Sequence, residues 1–301
     1  MNTIELDNAT PDITGQQARE HLIGSLPVHE RRRTLAGIAT AVLEGGDGPP
    51  LVLLHGPGAY AAHWLSIIPA LESRYRVVIP DLPGHGSSEL GDQPLDGARV
   101  LLWLGELIER TCAAERPALI GELVGGAIAM RFAARYPMRV RRLVLVDTFG
   151  LTPFLPARDF GQALHEFART PSSRTHDELW QKCAYDLPRL RGRMGALWPP
   201  FEAYNLDRAR TAATQVATQA LMAEFAALPM AASDLAQLAT PTTLIWGRHD
   251  LATPLGVAEA ASARYGWGLH VIEQANDAPA IEQPEAFVRA LLDALEKEKP
   301  R

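Results

Sequence analysis

The stretch Leu119-Ile-Gly-Glu-Leu-Val-Gly-Gly-Ala-Ile-Ala-Met130 reads as a buried strand, a tight turn and the start of an amphipathic helix. Glycines at 121 and 125 flank the turn, as a strand-to-helix elbow needs where backbone must approach backbone. A turn of the G-x-S-x-G kind lifts a nucleophile clear of a sheet. Here its central residue is Leu123, whose alkyl side chain has no lone pair to attack with, and the residue before it is Glu122.

Working outward, the same grammar repeats. Leu51–Gly56 (LVLLHG) is a continuous apolar run, as expected of a strand buried on both faces of a parallel sheet. A helix is predicted over 61–71, then strand RVVIP, the glycine-rich loop DLPGHGSS and a helix over 98–112. Strand PALIG, a helix over 124–136 and strand RRLVLVD, ending at Asp147, follow. From about 148 to 236 the alternation gives way to helical segments rich in Arg, Ala and aromatics. It then resumes with TTLIWG, a helix over 255–265, LHVIE and a helix over 284–296. Alternating strands and helices predict an α/β fold: a mostly parallel sheet of about eight strands with helices on both faces. The organisation expected is an N-terminal arm at 1–33, a core at 34–147, a helical cap at 148–236 and the rest of the core at 237–301. Such a cap would cover the carboxyl edge of the sheet, where open α/β sheets bind ligands.

Composition narrows the function classes. The chain has 301 residues, is 47% hydrophobic and 21% charged, and carries a formal charge of −6. That balance is ordinary for a globular protein and leaves no basic footprint for nucleic acid. The lysines are Lys182, Lys297 and Lys299, and arginine supplies the other basic side chains. This bias, with the richness in Ala, fits a GC-rich bacterial genome. Cys112 and Cys183 have neither a disulfide framework's number nor a metal site's spacing. The opening MNTIELDNATPD is acidic and polar rather than a signal sequence, and no apolar run approaches the roughly 20 residues of a membrane span. A cytoplasmic protein is expected, with no membrane or nucleic-acid partner, no cofactor and no metal.

Five motifs in order, HGPGAYAAHW, DLPGHGSS, GELVGG, WGRHD and NDAPAIEQPEAF, resemble those of the α/β-hydrolase superfamily over roughly residues 35–295. The resemblance implies a serine at the elbow, an acid after a later strand and a histidine near the end. Asp250 matches the acid, Leu123 stands at the serine position and Asp277 at the histidine position. It also implies an oxyanion hole from the N–H of Val124 and one from the loop after His55-Gly56. Pro57 has no N–H, which leaves Gly58 as the second donor. In serine hydrolases, loss of the serine or the histidine alone removes about 10⁶-fold in turnover, so ordinary ester hydrolysis is not expected.

What remains is acid–base chemistry. Asp277, if it projects where the histidine would, faces Asp250 across a small pocket, and two neighbouring carboxylates do not both ionise cheaply. Asp277 is then the candidate acid–base residue, Asp250 its partner and Glu122 a further candidate. The bland alternative makes Asp277 a turn cap or the partner of an Arg. His55, Trp64, Tyr185, Tyr204 and Arg208 are candidate ligand contacts, with Asp186 and Asp207 beside them in the cap. Against this, His55 also suits a structural role in its loop, and Trp64, Trp180 and Trp198 suit core or pocket wall. Three functions fit: a non-hydrolytic enzyme acting on a small apolar carbonyl compound, a pseudo-hydrolase that binds a small molecule, and a residual or non-standard hydrolase with a relocated site.

Overall fold

The computed structural model describes residues 13–296. Eight strands form one sheet: β1 (His29–Leu35), β2 (Ile38–Gly45), β3 (Pro50–Leu54), β4 (Arg76–Pro80), β5 (Ala118–Glu122), β6 (Arg142–Val146), β7 (Thr242–Gly247) and β8 (Gly268–Ile272). Their spatial order is β1-β2-β4-β3-β5-β6-β7-β8, antiparallel as far as β4 and parallel from there on.

The helices, in chain order, begin with α1 (Gly15–Ile23), α2 (Ile68–Glu72), α3 (Gly97–Thr111) and α4 (Val124–Arg135). Between β6 and β7 lie α5 (Arg158–Arg169), α6 (Ser173–Cys183), α7 (Leu187–Met194), α8 (Trp198–Arg210), α9 (Ala212–Leu221) and α10 (Ala232–Ala236). The chain closes with α11 (Leu255–Tyr265), α12 (Pro279–Glu282) and α13 (Pro284–Glu296).

Because strand side chains alternate, each buried strand feeds two cores. Val52, Leu54, Leu119, Leu143 and Leu145 face one side with α3, α4 and α11. Leu51, Leu53, Ile120, Val144 and Val146 face the other with α2 and α13. A third apolar cluster joins α1 and α6–α8 to Ala278 and to Ile281 of α12. No helix among the described residues is long and apolar enough to cross a membrane.

Local differences from expectation have local causes. β1 and β2 form a hairpin, turned at Ala36 (φ 48°) and Gly37 (φ 75°), with Leu35 opposite Ile38. Its first strand begins at His29, inside the expected arm, where charged side chains hide the strand pattern. The single helix expected over 61–71 is a 3₁₀ turn at Ala61–Trp64 followed by α2, with Pro69 in the first turn. Within the insertion, Ala217 and Leu221 of α9 pack into the first core rather than into the cluster of α6–α8.

Candidate functional site

β5, β6, β7 and β8 are neighbours, so the loops leaving their carboxyl ends converge. The centre is Leu123, between β5 and α4, at φ 48° and ψ −114°. A side chain rarely adopts this conformation, which costs about 1–3 kcal/mol. The surroundings enforce it. The Leu123 N–H donates to Val146 O (3.0 Å), and the Phe149 N–H donates to Leu123 O (3.2 Å). A Cβ at Gly121 would lie 2.4 Å from Gly125 O, and one at Gly125 would lie 2.4 Å from Leu54 O. The pedestal for a nucleophile is therefore intact, with a half-buried leucine on it. Val124 is the first residue of α4, so its N–H has no partner inside the helix. Gly58 (φ 71°) faces open space.

Buried acids surround the elbow. Glu122 is 1% exposed; its Oε2 lies 3.5 Å from His63 Nε2, while Oε1 has no partner. Burial pushes Glu122 up to about 8, helped by the charge of Asp250 and opposed by the Gly56 N–H. Burial pushes His63 down to about 4. At neutral pH these two are thus a neutral acid beside a neutral imidazole, not an ion pair. Asp277, on the loop after β8, is 6% exposed, with Oδ1 unpartnered and its carboxylate facing the Cys183 thiol. Burial first, then the charges of Asp250, Glu282 and Glu122, raises Asp277 well above the usual carboxyl range. The loop's path is fixed where it meets β7, because a Cβ at Gly247 would lie 1.8 Å from Asn276 O.

Asp250 lies close enough for its charge to raise Asp277, as the sequence led one to expect, but its own oxygens are engaged. Oδ1 accepts from the N–H groups of Ala252 (2.7 Å) and Thr253 (3.0 Å), and Oδ2 accepts from the Thr253 hydroxyl. Its neighbouring carboxyl is Asp147, just past β6 at φ 43°. Asp147 Oδ1 accepts the Gly247 N–H (2.8 Å); its buried Oδ2 has no other partner and is the atom able to carry a proton toward Asp250. Burial and the charge of Asp250 raise Asp147 well above the usual carboxyl range, while burial outweighs these hydrogen bonds and lifts Asp250 to about 6. Glu282, at about 7 through burial, accepts from the N–H groups of Asn276 (2.7 Å) and Tyr185 (2.6 Å) and so ties the insertion to the loop bearing Asp277.

The insertion roofs this edge with aromatic rings. His63 lies 6.1 Å from Phe201 and 6.5 Å from Trp180, and those two rings are 5.1 Å apart. Tyr60 stands 4.4 Å from Tyr204. Burial also raises the half-buried Cys183 thiol, so it is a hydrogen-bond donor to Asp277 and not a thiolate.

Several expected ligand contacts lie elsewhere. His55 is fully buried, with Nδ1 donating to Gly56 O (2.8 Å) and Nε2 accepting the Leu82 N–H (3.0 Å); it holds its loop. Trp64 is also fully buried and packs 6.2 Å from Phe287, on the face of the sheet covered by α2 and α13. Tyr204 and Arg208 line a separate polar groove of about 430 Å³ with Arg32, Ser87 and Asp207. There Arg208 donates to Gly86 O (2.8 Å) and pairs with Asp207. Tyr185 is exposed, stacked 4.7 Å from His249 at the outer rim, and Asp186 caps α7.

Conversely, sequence reasoning left Asp147, His63, Cys183 and Glu282 without a role. Asp147 gives a signal in the sequence as a lone acid ending an apolar strand, and His63 and Glu282 lie inside quoted motifs.

A family model described as the alpha/beta hydrolase family matches residues 51–290, and the chain belongs to that family. Over 263 residues it is 30% identical to the pimeloyl-[acyl-carrier protein] methyl ester esterase of Aeromonas hydrophila, spanning 84% of this chain and 98% of that one. Over 274 residues it is 29% identical to the 2-hydroxy-6-oxo-2,4-heptadienoate hydrolase of Pseudomonas putida, spanning 89% and 96%. Among solved structures, a 2-hydroxy-6-oxo-6-phenylhexa-2,4-dienoate hydrolase from a Rhodococcus species gives a TM-score of 0.77 at 25% identity, covering 91% of this chain and all of that one.

Proposed function

We propose that this member of the α/β-hydrolase family has given up the covalent serine step. In its place it performs proton transfer, as in elimination, isomerisation or cyclisation, on a small, uncharged, largely apolar carbonyl compound. One observation carries the reading. Leu123 sits on an intact elbow, and beside it Glu122 and Asp277 are buried acids with an unpartnered oxygen each. Asp277, in its ionised form, withdraws the proton next to the carbonyl as the oxyanion develops and then returns it to the product. Glu122, neutral beside His63, is a second donor. The N–H groups of Val124 and Gly58 receive the developing oxyanion. Asp250, fixed by Thr253 and Asp147, is a positioning residue. The names of the relatives, an ester esterase and hydrolases of oxo-dienoates, support a carbonyl substrate.

A second reading, a pseudo-hydrolase that binds its ligand without turnover, is favoured by the aromatic roof closing over His63. Incubation of wild type, Asp277→Asn and Glu122→Gln with carbonyl compounds in D₂O separates the two. Mass spectrometry reads both product formation and deuterium uptake next to the carbonyl. Turnover or exchange in wild type and its loss in Asp277→Asn support the enzyme. A compound that stabilises all three proteins and is unchanged supports the binding protein. Labelling of wild type by a serine-directed fluorophosphonate overturns both in favour of a relocated hydrolase site.

A further inference from the structure

Away from the elbow, α6 and α8 bring together His176, Asp177 and Glu202, whose nearest ligand atoms all lie within 4.8 Å of one another. His176 is fully buried, and its Nδ1 is 3.8 Å from Asp177 Oδ1, too far to hydrogen-bond, with no other partner. Its Nε2 lies 3.0 Å from the Asn205 amide. Phe167, Trp180 and Trp198 enclose the ring at 5.8–6.1 Å. Without an ion, the Nδ1 edge of the imidazole is a polar atom stranded in an apolar shell, which is costly.

We propose that His176, Asp177 and Glu202 form a divalent transition-metal site that pins α6 to α8. One imidazole nitrogen and two carboxylates suit a borderline ion such as Zn²⁺, with water completing the shell. Ligand atoms around a tetrahedral zinc stand about 3.3 Å apart. Small rotations of the half-buried Asp177 and Glu202 side chains close the remaining gap. Asn205 supplies the outer shell. With its amide turned so that oxygen faces Nε2, it accepts the Nε2–H and leaves the Nδ1 lone pair for the ion. Arg191 also pairs with Asp177, and its guanidinium rests 5.0 Å from the Trp198 ring. That pairing falls on Oδ1, the oxygen nearest His176, so metal binding requires the Asp177 carboxylate to exchange Arg191 for the ion or to turn Oδ2 toward it.

The site has a mechanical meaning, because α6 carries Trp180 and Cys183 and α8 carries Phe201 and Tyr204. A metal between the two helices fixes the roof over the elbow.

The test is equilibrium dialysis of chelator-stripped full-length protein against Zn²⁺, with zinc counted by mass spectrometry and melting followed in parallel. Wild type is expected to hold one zinc and to melt about 5 °C higher at a hundredfold excess over Kd. Asn205→Ala is expected to weaken binding about tenfold, and Glu202→Gln by on the order of 100-fold. His176→Gln removes a packed ring, so Glu202→Gln, at a half-buried position, carries the decision. Equal zinc uptake by wild type and Glu202→Gln, or no uptake by wild type, overturns the proposal.

Discussion

Glu122→Gln is expected to make the protein more stable, by an amount that grows with pH. The side chain is buried beside Leu123 and His63, and its proton affinity rises from that of an ordinary carboxyl at 4.5 to about 8. Each tenfold change in that affinity is worth 1.36 kcal/mol, so the ionised form burdens the fold by about 5 kcal/mol. Below pH 4.5 the folded and unfolded chains both hold the proton, and the substitution is nearly silent. Between pH 4.5 and about 8 the unfolded chain releases it while the folded chain keeps it, so wild-type stability falls as pH rises; above about 8 the loss is complete. His63 acts on the other flank. Its folded pKa of about 4 lies below the unfolded 6.5, so stability is lost as pH falls through that window. Urea unfolding of wild type and Glu122→Gln at pH 5 and pH 9 isolates the glutamate, because every other group is common to both. The stability gap between the two proteins is expected to widen by about 4 kcal/mol between those pH values. A gap that stays constant would falsify the assignment of Glu122 as a buried, neutral acid.

Three further comparisons probe the elbow. Leu123→Gly is expected to be about 1 kcal/mol more stable than Leu123→Ala in chemical denaturation, the reverse of the usual order, because only glycine relaxes at φ 48°. Gly125→Ala, which drives a Cβ to 2.4 Å from Leu54 O, is expected to cost about 3 kcal/mol or more, read as a drop in the denaturation midpoint without a change in slope. Leu123→Ser combined with Asp277→His is expected to hydrolyse p-nitrophenyl acetate roughly 10³-fold faster than Leu123→Ser alone, since Asp250 already stands on its loop to orient the imidazole. Equal rates mean that position 277 does not project toward the elbow.

What sequence made legible follows from where the information sits. Leu51–Leu54 and Arg142–Val146 announce themselves because a strand buried on both faces is apolar at nearly every position. The elbow is legible because backbone-to-backbone contacts at 121 and 125 admit only glycine. β1, whose sequence is HERRRTL, is not, because an edge strand tolerates charge. Side-chain direction is the other blind spot. His63 leaves a 3₁₀ turn and points at Glu122, while its neighbour Trp64 points into the core around Phe287. Periodicity does not predict that divergence. The pairing of Asp250 with Asp147, across adjacent strand ends about 100 residues apart in sequence, rests on sheet order and becomes visible only once the strands are assembled. Likewise Tyr204 and Arg208, read from sequence as candidate ligand contacts, line the groove by Ser87, a placement that only the packing of α8 decides.

The contact between Gly247 and Asn276 has a consequence for the history of such a site. The loop after β8 is clamped by main chain against main chain, one residue before the side chain that matters. Its course is therefore independent of what stands at 277, just as the elbow's course is independent of what stands at 123. The fold behaves as a jig with exchangeable tools: a histidine, an aspartate or any other polar group seated there arrives at the same place. A change of side chain at 123 or 277 then leaves the main chain that carries it where it was.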